Sequence, residues 1–163
     1  MLTRKILSAS ISGVLFFILL GLFIPNPFGE PITSFSNYFG SVLLSISGYL
    51  LYGTPIILFY GIICSIISDK ISVLISEKVK FNNAEFMLSG LLHASFGLVF
   101  AAYGLVASLL FFAVDRVIRK RKMHVTGKQI ITALVLPIAV YVLCLGSLAA
   151  ADFLSGGWKD LLV

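Results

Sequence analysis

Residues 81–122 read FNNAEFMLSGLLHASFGLVFAAYGLVASLLFFAVDRVIRKRK, and how often this stretch crosses a bilayer decides the topology of the whole chain. No charge falls between Glu85 and Asp115, and the stretch closes on Arg119, Lys120, Arg121 and Lys122. Taken as one helix, residues 84–114 would rise about 1.5 Å each and measure about 46 Å, against a hydrocarbon core of about 30 Å. Folded as a tight hairpin with its apex between Phe100 and Gly104, the same stretch gives two arms, 82–99 and 103–118. Each arm then has about 16–18 residues, close to the lower limit of about 17 for a crossing.

Composition makes the bilayer the working assumption. The chain has 163 residues, 59% hydrophobic and 12% charged, with a mean hydropathy of +1.06. A soluble domain carries about 45–50% apolar and about 25% charged residues. Too little polar surface is left to cover a globule in water. Lipid then restricts the backbone to helices or a closed barrel, because unpaired N–H and C=O groups find no water there. The apolar runs are long and unbroken rather than short and alternating, so the expected fold is all-α: one polytopic transmembrane helical bundle spanning 1–163.

In chain order, the expected helices cover about 6–24, 41–67, 82–99, 103–118 and 130–151. Arg4 and Lys5 precede an uncharged run of 19 residues, 6–24. That run is longer than the apolar core of a secretory signal, and Pro25 and Pro27 stop it. Residues 28–40 form a loop with Glu30 as its only charge; Phe28, Phe35, Tyr38 and Phe39 suit the outer interface. Pro55, after Gly53 and Thr54, predicts a kink or tilt in 41–67. In 69–80, Ile71, Leu74, Ile75 and Val79 share one face, which predicts a separate amphipathic helix on the inner surface. Pro137 lies early in the last run, and Trp158 in the tail is an interface anchor.

Charge decides between four and five crossings. The positive-inside rule places Lys and Arg of short loops in the cytoplasm. With four crossings, Arg4, Lys5, Lys70, Lys78, Lys80 and Lys159 fall on one side, and Arg116, Arg119, Lys120, Arg121, Lys122 and Lys128 on the other. With five, only Lys159 lies outside. Five crossings are therefore favoured, with the N-terminus and basic loops cytoplasmic. Gly90 with Ala94, Gly97 with Ala101, Gly104 with Ser108 and Gly146 with Ala150 are small pairs four apart that let helices approach closely.

Chemistry is sparse. His93 is the one ionisable group deep in an apolar run, able to relay a proton or hydrogen-bond a neighbouring helix. A relay needs a partner, and no Asp or Glu lies inside a membrane run. Asp69 beside Lys70 and Asp115 beside Arg116 sit at run ends and read as interfacial anchors, or as parts of a coupled ion site. His93, Asp69, Asp115 and Arg116 are the candidate functional residues. The basic stretch that opens on Arg116 and closes on Lys128 suits anionic lipid. Cys64 and Cys144 lie in apolar runs without a metal or redox spacing, as small packing residues. Zinc-protease, serine-hydrolase and nucleotide-loop motifs are missing, so no enzyme, cofactor or metal is expected. The net charge of +5 flanks apolar runs and does not point to nucleic acid.

The segment PIILFYGIICS at 55–65 leads into Ser68-Asp69-Lys70, and HASFG at 93–97 leads into LFFAVDR at 110–116. This pattern resembles that of uncharacterised small multi-pass membrane proteins of Bacillus-type bacteria, over roughly half the chain. The resemblance implies a helical bundle in the plasma membrane and carries no activity. The expected function is non-enzymatic, through contacts with a membrane partner or another copy of the chain. The alternative is a subunit of a small oligomeric transporter or channel.

Overall fold

The computed structural model describes residues 1–26, 29, 31–79, 83–121 and 126–155. Trp158, Lys159, Lys80, Lys122, Glu30, Phe28 and Pro27 lie outside the described residues. Among those described, all regular structure is helical: α1 (Leu2–Phe23), α2 (Phe35–Ile56), α3 (Ile62–Ser76), α4 (Ala84–Gly97), α5 (Ala101–Lys120) and α6 (Gly127–Ser155). A π-helical segment, Ile57–Gly61, joins α2 to α3. Helix α1 is the hub, packed against α2, α5 and α6, while α3, α4 and α5 close the other side.

The end of α1 shows how the first two helices are locked. The carbonyls at and just past its end have no helical N–H to accept from, because Pro25 cannot continue the helix. Side chains from α2 take them: Tyr38 Oη donates to Leu22 O at 3.0 Å, Tyr49 Oη to Ile24 O at 3.1 Å, and Ser45 Oγ to Pro25 O at 2.5 Å. The aromatic segment expected as a loop up to Gly40 is shorter, since Ser34 starts α2 by accepting from the Asn37 N–H at 3.1 Å. Pro55 lies within α2, and the widened turn follows directly after it.

Two expectations change here. The separate amphipathic helix over 69–80 does not form; α3 continues from the π segment through Asp69 to Ser76. The burial of α3 is the reverse of that in a water-soluble helix. Ser65, Ser68, Asp69 and Ser72 face inward, and Val73, Leu74 and Ile75 are exposed. The same inversion runs through the molecule: Lys5, Ser8, Ser12, Ser89 and Asp115 are buried, while Phe23 is 81% and Phe35 80% exposed. Lipid accepts large apolar side chains and rejects charges, so this is the partition a bilayer selects. Serines tolerate the interior by bonding their own helix, as when Ser12 Oγ donates to Ser8 O at 2.7 Å and Ser68 Oγ to Cys64 O at 2.8 Å.

The second change concerns the count of crossings. By length and composition, four helical stretches can cross a membrane: Leu2–Phe23, Phe35–Ser76, Ala84–Lys120 and Gly127–Ser155. The count expected from charge was five. Counted separately, α4 has only 14 residues, below the roughly 17 a crossing needs, and α5 has 20. Yet the stretch 84–120 is not straight. A 3-10 turn, Leu98–Phe100, separates α4 from α5, and Ala101 takes φ 53 and ψ −147, a conformation costly for any residue but glycine. The arms fold back until Glu85 Oε1 meets Arg119 Nη1 at 2.6 Å. Glycine supplies the close approach rather than the break: the Gly97 carbonyl lies against Gly104, leaving no room for a side chain at either.

Candidate functional site

Four helices, α1, α3, α4 and α5, converge on one buried ionic cluster at the end of the bundle where α1 begins. Lys5 comes from the first turn of α1, Ser65 and Asp69 from α3, Ser89 and His93 from α4, and Asp115 from α5. Lys5 is wholly excluded from solvent, Asp115 is 1% and His93 4% exposed. The Lys5 ammonium has three oxygens around it: Asp69 Oδ2 at 2.6 Å, Asp115 Oδ2 at 2.8 Å and Ser65 Oγ at 2.7 Å. Three donors thus meet three acceptors, which is what a buried ammonium requires.

Two arginines complete the cluster. Arg4 Nε donates to Asp115 Oδ1 at 2.8 Å and Arg4 Nη2 reaches Asp69 Oδ2 at 3.5 Å. Arg116 Nη2 lies 3.3 Å from Asp69 Oδ1 and its Nη1 3.5 Å from Glu85 Oε1. The Arg116 guanidinium also lies over Phe112, 5.0 Å from the ring centroid, where the negative ring face favours a cation. Its Nε has no hydrogen-bond partner among the described residues.

His93 joins the cluster through two serines. Its Nδ1 lies 2.7 Å from the Ser89 carbonyl and its Nε2 2.9 Å from Ser65 Oγ. Ser89 Oγ donates to Asp69 Oδ1 at 3.0 Å. Rings of Phe111 and Phe112 flank the imidazole at 6.2 and 5.2 Å between centroids.

The cluster lies between two openings. On one side a cleft of about 490 Å³ is lined by Met1, Arg4, Asp69, Lys70, Glu85 and Arg119. On the other, an apolar cavity of about 180 Å³ runs between α1, the π segment and the α4–α5 hairpin. Phe16, Phe17, Tyr60, Phe96, Phe100 and Tyr103 line it, and Cys64, His93 and Phe111 close the end nearer the ion pairs. Tyr60 Oη donates to Phe96 O at 3.0 Å, tying the π segment to the hairpin.

All four residues singled out in the sequence, His93, Asp69, Asp115 and Arg116, meet in this cluster. The expectation that His93 has no acidic partner is corrected: Asp69 is two hydrogen-bonding side chains away. Lys5, Arg4, Ser65 and Ser89 were missed, because a basic residue at a run end reads as an anchor. A signal was present. Ser65, Ser68, Asp69 and Ser72 recur at helical spacing, as do Lys5, Ser8 and Ser12, so each set forms a polar stripe on an otherwise apolar helix. No group of His, Cys, Asp and Glu that could hold a metal occurs among the described residues. Comparison with family models, curated proteins and solved structures finds no match.

Proposed function

We propose that the protein is a five-crossing plasma-membrane protein that works as the subunit of a small proton-coupled carrier. One observation carries the reading. Lys5, out of contact with solvent, is shared by two carboxylates from two other helices between an open cleft and a separate cavity. Ionisable groups kept inside an apolar bundle are expensive, and ion and proton pathways are where they are retained. The resemblance to Bacillus-type membrane proteins supports the location. Five crossings are supported by the charge distribution and by the pairing of Glu85 with Arg119 at one end of the hairpin. Residues 116–128 then face the cytoplasm, where anionic lipid would bind them.

Two measurements test this. With Cys64 and Cys144 replaced by Ser, single cysteines at Lys78 and Thr126 are exposed to an impermeant maleimide in intact bacterial cells. Five crossings put both on one side, so both are protected until lysis; labelling of one alone means that the hairpin crosses once. For the carrier, purified protein in liposomes with an internal pH dye dissipates an imposed proton gradient, and Asp115→Asn falls to the empty-liposome background while keeping a monodisperse profile. A silent wild-type protein removes the carrier reading.

A second reading, action through contacts with a membrane partner or another copy, is favoured by the outer face of α6. Ile131, Ile138, Val142 and Leu143 are exposed there, and Gly146 has no neighbour within 4 Å of where a side chain would begin. A single chain per detergent particle, with no partner recovered in gentle detergent, removes it.

A further inference from the structure

We infer that Lys5, Ser65 and His93 form a one-hydrogen proton wire whose proton moves to His93 when an aromatic carboxylate occupies the apolar cavity. This rests on the carrier reading and names the ligand class of the same site.

With a neutral imidazole, the direction of every bond in the wire follows from what each group can do. An ammonium only donates, so Ser65 Oγ accepts from Lys5 Nζ at 2.7 Å. The hydroxyl keeps its one hydrogen for its other neighbour, His93 Nε2 at 2.9 Å, which accepts it when that nitrogen is bare. A carbonyl only accepts, so the 2.7 Å contact with Ser89 O puts the imidazole proton on Nδ1. A neutral imidazole with its proton there is the Nδ1–H tautomer, whose bare Nε2 accepts from Ser65. Transfer needs no outside reagent. Lys5 gives a proton to Ser65 Oγ, Ser65 gives its own to His93 Nε2, and an ammonium with a neutral imidazole becomes an amine with an imidazolium. The wire's other neighbours stay as they are.

A ligand shifts such an equilibrium only if it binds the two states differently. The cavity shows what would. Transfer carries a positive charge from between Asp69 and Asp115 to the end of the cavity, where His93 lies. Only a negative charge in the cavity compensates that move. The groups behind His93, with four cations (Arg4, Lys5, Arg116, Arg119) against Asp69, Asp115 and Glu85, have one positive charge in excess, which also attracts an anion. Size and lining specify the rest of the ligand. A dry apolar cavity of about 150 Å³ takes a benzene ring, and this one, at about 180 Å³, adds room for a small head group. Its aromatic walls suit a ring. Both imidazole nitrogens are engaged, so the anion acts through its charge and not through a bond to His93.

Solid-state ¹⁵N spectra of histidine-labelled protein in lipid nanodiscs test the wire, with His124→Gln leaving His93 as the one imidazole. At fixed pH the ligand-free protein gives the neutral pair of signals with Nδ1 protonated. Benzoate replaces that pair with the doubly protonated signature, and benzamide, its uncharged counterpart, does not. Ser65→Ala loses the response, and Ser65→Thr, which restores the hydroxyl, retains it. A resting Nε2–H tautomer, no change with benzoate, an equal change with benzamide, or a full response in Ser65→Ala overturns the inference. Failure here with proton flux intact leaves the carrier reading standing; a normal response in a protein without flux does the reverse.

Discussion

Lys5→Met destabilises the folded protein by about 3–5 kcal/mol, the usual effect of removing one partner from a buried ion pair. The readout is unfolding of the purified protein in mixed micelles against a denaturing detergent. The size follows from what the ammonium leaves behind. Asp69 Oδ2 loses a partner at 2.6 Å and keeps only Arg4 Nη2 at 3.5 Å, while Ser65 Oγ loses its donor. Methionine fills much of the volume, so the loss is electrostatic rather than a cavity. Arginine is no substitute, because a planar fork does not fit among three oxygens arranged around a point charge. A cycle with Asp115→Asn isolates the pair: the double variant is less destabilised than the two single losses added, by about 0.5–3 kcal/mol. A Lys5→Met protein as stable as the parent would mean that Arg4 and Arg116 alone satisfy both carboxylates.

The cluster explains why the sequence was legible in one part and opaque in another. Apolar runs and basic flanks are local properties, so the helical class and the helix order could be read residue by residue. What a helix buries is not local. In 69–80 the apolar side was read as an interfacial face because Leu74 and Ile75 share it; that side is exposed, and it is Ser65, Ser68 and Ser72 of the same helix that the bundle buries. In a bilayer the apolar stripe no longer marks the core, and the polar stripe is the better guide. His93 was legible as an oddity, but its acidic partner was not, since Asp69 lies 24 positions before it and only the docking of α3 on α4 joins them. A fold-back with its apex between Phe100 and Gly104 was anticipated from length and charge, and the turn at Leu98–Phe100 with Ala101 falls at the start of that range. The glycines at 97 and 104 were read as small partners of Ala101 and Ser108 on their own helix, whereas they pack against each other across the apex, and Ala101 carries the unusual backbone.

That contact is the basis of the other large effect. Gly97→Val destabilises the protein by about 1–3 kcal/mol through overpacking and lowers proton flux with it. A side chain at Gly97 would begin 2.7 Å from the Gly104 carbonyl oxygen and against the Ser108 side chain. Backbone cannot rotate away as a flexible side-chain tip can, so α4 and α5 must separate at the apex. His93 lies one turn from Gly97 on the same helix, and the next residue inward, Phe96, receives the Tyr60 hydrogen bond that holds the π segment. Separation at the apex therefore widens the cavity and tilts the imbedded turn of α4 that places His93 against Ser65. Gly146→Val is the matched control, because nothing lies within 4 Å there; its stability changes by less than about 0.5 kcal/mol, as at an unremarkable surface position. If both valines are tolerated equally in the same detergent titration, the hairpin is not closed at Gly97. If Gly97→Val is destabilised but keeps full flux, the apex holds the fold without positioning His93.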